Sequence, residues 1–200
     1  MKKLNNIPTL DDIQKVHEGI KPVIHQTPVL TCQSLNDMIG ASLFFKCENF
    51  QKVGAFKMRG AASALLSLTE EEKQKGIATH SSGNHAQAVA LNAKLNGIKA
   101  YIVMPKNSPK IKKEATAAYG AEITFSENTI ESRISTLEKV IEETGARFIH
   151  PFDDYNIIAG QATAAKELIE EVGALDIVMA PVGGGGLMCG TALITHYLLP

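Results

Sequence analysis

Between Gly76 and His150 the sequence alternates short apolar runs with longer stretches of helical spacing, joined by connections of only a few residues. Residues 77–80, 100–104, 121–125 and 147–150 are apolar and short enough to be strands. Residues 86–96, 109–119 and 130–144 carry helical patterns that stop at Gly97, Gly120 and Gly145, the residue type favoured just past a helix end. Strands that alternate with helices over short links pack as a parallel sheet covered by helices. The expected fold class is therefore α/β.

The flanks extend this pattern. Ile13, Val16 and Ile20 recur at helical spacing within 11–23, where Pro22 closes the helix. Residues 43–47 suit a strand, 60–68 a small-faced helix, and Thr69 a helix N-cap. Towards the end come an amphipathic helix over 158–172, a buried strand over 176–181, a glycine loop over 182–186 and a last helix over 187–199. A helix of this kind normally leads to another strand, so the chain reads as unfinished at Pro200.

Charge and composition exclude several functions. The 20 Lys and Arg against 21 Asp and Glu give a net charge of -1, without the basic surplus of a nucleic-acid binder. Cys32, Cys47 and Cys189 lack metal-ligand spacing and are too few for a disulfide framework, so no metal site is expected. No apolar stretch approaches the roughly 18 residues that cross a bilayer, and the N-terminus lacks the apolar run of a signal peptide. The expected location is cytoplasmic.

Three constellations carry chemistry. Lys57 lies between Phe56 and a helix start, where the helix dipole favours its neutral, imine-forming state; the plain alternative is a solvated surface lysine. Gly183, Gly184, Gly185 and Gly186, followed by Leu187, join a strand to a helix. Their N–H groups can line an anion cup, or the loop is simply a turn. It is not a P-loop, since no Lys-Ser/Thr pair follows. Ser81, Ser82, Gly83, Asn84 and His85 form a polar cluster at the carboxyl end of a strand, where open α/β sheets bind ligands. Ser82 or Asn84 would equally serve as a helix N-cap. Arg133 reads as a surface ion pair with its acidic neighbours.

Taken in order, Gly-Ala-Phe-Lys-Met-Arg-Gly, Ser-Ser-Gly-Asn-His-Ala-Gln and Gly-Gly-Gly-Gly-Leu resemble the fold-type II pyridoxal phosphate enzymes, in the serine/threonine dehydratase and serine racemase branch. The resemblance runs over essentially all 200 residues. It implies that Lys57 forms the Schiff base with pyridoxal 5'-phosphate and later takes the substrate α-proton, and that Phe56 helps enclose the cofactor. It implies further that Asn84 bonds the pyridine 3-hydroxyl, that residues 183–187 hold the phosphate, and that residues 81–85 receive the substrate carboxylate. Ser82 matches the acid/base of racemases, where dehydratases commonly carry Ala. Arg133 matches an arginine near the distal end of the substrate, suited to a second carboxylate such as that of 3-hydroxyaspartate. Val53 and Ala55 depart from the family's usual Thr-Gly-Ser-Phe-Lys form.

The architecture so implied has two lobes. Residues 1–76 and 154–200 form a large, incomplete cofactor lobe, and 77–153 a small mobile substrate lobe. The implied activity is elimination of ammonia from serine, threonine or 3-hydroxyaspartate, with a homodimer as the expected assembly. Serine racemisation, a nucleotide-binding module and a non-catalytic fragment are the alternatives.

Overall fold

The computed structural model describes residues 3–199. Its centre is a four-stranded parallel sheet in the order β5-β4-β3-β6, formed by β3 (Ile77–His80), β4 (Ala100–Pro105), β5 (Glu122–Ser126) and β6 (Arg147–Phe148). Ile77 pairs with Ala100 and Arg147, and Tyr101 with Glu122. The links are α5 (Asn84–Asn96), α6 (Lys110–Ala118) and α7 (Ile130–Thr144). Both faces of the sheet are covered. Ile77, Ala100, Ile102 and Met104 join Ala86, Val89 and Ala93 of α5, while Ala78 and Val103 face Leu137 and Val140 of α7. The two-residue alternation of a strand thus divides one apolar run between two cores.

The remaining helices form a layer of their own. They are α1 (Leu10–Ile20), α3 (Lys57–Leu66), α8 (Tyr155–Val172) and α9 (Gly186–Leu198), joined in a core of Ile13, Val16, Ile20, Met58, Ala162 and Ile194. Helix α8 runs unusually close to its neighbours. A Cβ on Gly160 would lie 2.6 Å from the carbonyl of Arg59 in α3, and one on Gly190 of α9 would lie 2.6 Å from the backbone of Ala162. Two short helices, α2 (Gln33–Ile39) and α4 (Glu70–Lys75), and an antiparallel pair, β1 (Val29–Leu30) with β2 (Phe45–Lys46), complete the chain. Ala61 and Leu65 of α3 also pack in the sheet core, so the face between helix layer and sheet is apolar.

Three expectations are corrected. The helix expected over 60–68 begins at Lys57, so Lys57 is its first residue and not part of the preceding loop. Helix α2 was not anticipated, because none of its residues is buried and no apolar stripe marks it. The buried strand expected over 176–181 forms no strand among the described residues, with Ile177 75% and Met179 81% exposed. Its apolar composition suits a sheet interior, but no neighbouring strand lies beside it. A cavity of about 320 Å³, lined by Phe56, Leu168, Val178, Met179 and Leu187, separates it from the helices.

Candidate active site

The loop before Lys57 is conformationally demanding. Val53 is at φ 59°, in the left-handed region that a β-branched residue rarely occupies, and it is the one such non-glycine among the described residues. Beyond it, Phe56 takes the N-cap position of α3 and Lys57 starts the helix. Lys57 is half-buried, and burial holds its amine below the usual lysine range. Its Nζ lies 5.4 Å from the centroid of the Phe56 ring and donates to the carbonyl of Pro151 at 2.6 Å. A solvated surface lysine does not describe it.

Two residues on, Arg59 anchors this helix start. It is fully buried, and its guanidinium forms paired hydrogen bonds of 2.7–2.8 Å to both Glu167 and Glu48. Glu167 also accepts from Lys46 Nζ at 2.8 Å and from His17 Nε2 at 3.1 Å. Burial by itself would raise the Glu167 carboxyl, but the hydrogen bonds from His17, Arg59 and Lys46 hold it far below its usual range. The network ties α1, β2 and α8 to the first turn of α3. Removing one member would strand a buried charge, a change that costs about 3–5 kcal/mol. Nothing in the sequence announces it, since Arg59 and Glu167 are 108 residues apart.

The glycine loop meets the segment next to Pro151. A Cβ on Gly184 would fall 2.2 Å from the Phe152 ring, and one on Gly186 2.9 Å from the Phe152 carbonyl. Gly185 is left-handed at φ 91° and opens α9 without a side-chain cap. Pro151 and Phe152 therefore touch, respectively, the lysine and the loop, which places the two on either side of one short stretch of chain.

The third constellation arrives on α5. His85 is buried, its Nε2 lies 3.3 Å from the Ile149 carbonyl, and its pKa is pushed down to about 3 by burial and by the nearby Lys57 charge. Ser82 and Asn84 are exposed, and Ser81 Oγ accepts from the Gly83 N–H at 3.2 Å. Neither Ser82 nor Asn84 caps the helix: Gly83 occupies the N-cap position, with no side-chain hydrogen bond. The Asn84 side chain instead accepts from Lys112 Nζ at 2.7 Å. Lys112 was not singled out in the sequence, although the basic run Lys110, Lys112 and Lys113 was there to see.

Thr9, Thr69, Thr129 and Asp154 cap α1, α4, α7 and α8 with their side chains. Helices α2 and α6 have no such cap, and nor do the three that begin with Lys57, the residue 81–85 loop and the glycine loop. Their first N–H groups remain available to an anion.

Arg133 lies in the first turn of α7, and its Nε is buried without a hydrogen-bond partner among the described residues. It forms no ion pair among those residues, contrary to the surface-pair reading. Its charge reaches His80, whose pKa is lowered first by burial and then by Arg133 and His150. His80 ends β3, directly before Ser81, so Arg133 belongs to the same edge of the sheet.

A half-buried lysine, a glycine cradle before an uncapped helix and a second uncapped helix suit a phosphorylated aldehyde that carries a separate carboxylate-bearing substrate. Comparison with known proteins agrees. Residues 20–200 match the family model described as pyridoxal-phosphate dependent enzyme. The chain belongs to that family. It is 50% identical over 194 residues to the beta-hydroxyaspartate dehydratase of Paracoccus denitrificans, covering 97% of this chain and 62% of the relative. It is 48% identical to the L-threo-3-hydroxyaspartate ammonia-lyase of Saccharomyces cerevisiae, covering 97% and 60%. The structure of maize serine racemase matches with a TM-score of 0.95 at 47% identity, covering 98% and 59%. The chain thus spans about 60% of the length of the relatives it matches. Among the described residues no helix is long and apolar enough to cross a membrane.

Proposed function

We propose that this chain carries the reactive lysine and the phosphate and carboxylate sites of an enzyme that eliminates ammonia from small L-hydroxy amino acids. The observation that carries the reading is the convergence of Lys57, the glycine loop and the start of α5 on residues 149–152. Pyridoxal phosphate, when bound, supplies the electron sink that delocalises charge from the substrate α-carbon. Lys57 is the point of attachment, and its amine, freed when substrate arrives, removes the α-proton. The N–H groups of residues 183–187 hold the phosphate, with Phe56 enclosing the ring. Asn84, which accepts from Lys112, would bond the ring hydroxyl, and the loop 81–85 would receive the substrate carboxylate. Loss of the β-hydroxyl, then hydrolysis of the released product, gives a 2-oxo acid and ammonia.

Within this reading 3-hydroxyaspartate is the favoured substrate. Arg133, with its unpartnered Nε, stands ready for a second carboxylate beside His80, and two of the relatives are named for hydroxyaspartate chemistry. Residues 77–153 act as the small lobe, closing against residues 1–76 and 154–200 in a homodimer. Serine racemisation is a second reading, favoured by the exposed Ser82 at the head of α5. Borohydride reduction of the chain with pyridoxal phosphate, followed by peptide mapping, tests the assignment. The label is expected on Lys57, and a label on another lysine overturns it. Release of 2-oxo acid from serine, threonine and 3-hydroxyaspartate, compared side by side, tests the substrate.

A further inference from the structure

Residues 149–153 make five side-chain-dependent contacts in as many residues. The Ile149 carbonyl accepts from Thr79 Oγ1 at 2.7 Å and faces His85 Nε2 at 3.3 Å. His150 Nδ1 accepts from the backbone N–H groups of Phe152 at 3.3 Å and Asp153 at 2.7 Å. The Pro151 carbonyl accepts from Lys57 Nζ at 2.6 Å. Since a carbonyl can only accept, the His85 contact fixes a proton on Nε2 and leaves Nδ1 as an acceptor, which is buried with no partner among the described residues. A buried ring with an unmet acceptor carries a cost, which the Nε2 contact must offset.

We propose that His85 is a positioning residue: by holding the Ile149 carbonyl, its ring fixes the strap 149–153 and so sets where the Lys57 amine rests when it is not bonded to the cofactor. The strap is a two-ended tie. At one end it is fastened to α5, whose first turn takes the substrate carboxylate in the proposed function. At the other, Pro151 presents an acceptor to the free lysine, and the pyrrolidine ring fixes φ at that residue. An amine that donates one N–H to a fixed carbonyl has its lone pair confined to two of the staggered directions about Nζ, which favours the alignment that α-proton abstraction requires. The inference rests on Lys57 being the reactive lysine. The neutral state of His85 agrees with it, since a charged ring could not remain buried beside Lys57.

The test uses the 200-residue chain free of cofactor, so that strap order and lysine chemistry are read apart from turnover. His85→Leu removes the donor and keeps an apolar volume, whereas His85→Gln retains an N–H that can reach the Ile149 carbonyl. Hydrogen exchange by mass spectrometry follows the peptide containing residues 149–153. Competitive acetylation across pH follows Lys57. His85→Leu is expected to speed exchange in that peptide by roughly tenfold, the scale of one lost hydrogen bond. It should also move the acetylation midpoint of Lys57 up towards that of exposed lysines, as water reaches the amine. His85→Gln should restore both. Should His85→Leu fail to fold by circular dichroism, His85→Asn, too short to reach Ile149, replaces it with the same expectations. Unchanged exchange and an unchanged Lys57 midpoint in a folded variant overturn the proposal, as does failure of Gln to restore them. If borohydride instead labels a different lysine, the reading of Lys57 falls while the exchange result still reports the strap.

Discussion

His85 also sets a pH dependence. Its ordinary pKa of 6.5 falls to about 3 in the fold because burial disfavours the charged ring. Between those values the unfolded chain binds the proton and the folded chain does not. Stability from this group is therefore complete above pH 6.5 and declines as pH falls towards 3, by about 1.4 kcal/mol per pH unit at the steepest. His85→Gln should flatten that part of the profile in urea titrations at pH 4, 5 and 7. An equal acid slope in both chains would assign the loss to carboxylates such as Glu167 instead. At the neighbouring Ser82, the expectation concerns the two faces of a substrate. With Lys57 on one face, as proposed, racemisation needs a proton donor on the other, and elimination needs proton removal on one face only. Ser82→Ala should suppress formation of D-serine by at least about tenfold while leaving 2-oxo acid formation within about threefold. Chiral chromatography alongside a 2-oxo acid assay separates the two. Lys57, the glycine loop and the loop 81–85 were legible in sequence because each is a local composition with its own mechanism. Pro151, Lys112 and Arg59 were not, since each acts through a partner that only the fold brings near.

Among the elements, α8 crosses both α3 and α9 at close range, and the crossing with α3 gives a direct test. A methyl at Gly160 would meet the Arg59 carbonyl, the Gly60 Cα at 2.7 Å and the Ser63 Cβ at 2.8 Å. Two of these are backbone atoms that cannot swing aside. Gly160→Ala should cost about 1–3 kcal/mol, and more if α3 shifts. Gly183→Ala, with nothing within 4 Å of the new Cβ, is the matched control and should change stability by less than about 0.5 kcal/mol. Equal urea midpoints for the two would show that the helices separate at little cost. The order of strands and helices from β3 to α7 could be read in advance, because apolar alternation and helix-ending glycines are short-range signals. The layer of α1, α3, α8 and α9 was harder to foresee. Its contacts depend on small residues, Gly60, Gly160, Ala162 and Gly190, which carry no periodicity of their own.

The molecule as a whole leaves a strip of apolar surface. Ile177, Met179 and Val182 are 75%, 81% and 66% exposed along a stretch that makes no strand pairing among the described residues. The same letters, Asp-Ile-Val-Met-Ala-Pro, read as a buried strand in sequence, because composition reports what a segment suits and not whether a neighbour is there. Unpaired, apolar backbone of this kind invites association. The 200-residue chain should therefore self-associate at micromolar concentration, and Ile177→Lys with Met179→Lys should shift it towards monomer in size-exclusion chromatography with light scattering. A monomer before substitution would mean that the strip is covered in another way.

The helices that open without a side-chain cap have a different consequence for the same molecule. An absent side-chain cap forgoes about 1 kcal/mol at a residue such as Phe56 of α3, and only about a few tenths at the glycine N-caps of α5 and α9. In the proposed function a phosphate at α9 and a carboxylate at α5 would take the place of the side-chain caps that α1, α4, α7 and α8 carry. Loading and folding become a single equilibrium, in which whatever binds the native chain also raises its melting point. Inorganic phosphate alone, at tens of millimolar, should raise Tm by a few degrees beyond a sodium chloride control of equal ionic strength, and pyridoxal phosphate should do so at far lower concentration. Gly183→Asp, which adds a carboxylate to the glycine loop where a new Cβ meets nothing within 4 Å, should abolish the phosphate response. A chain starved of cofactor would accordingly unfold, and be cleared, sooner than one that has it.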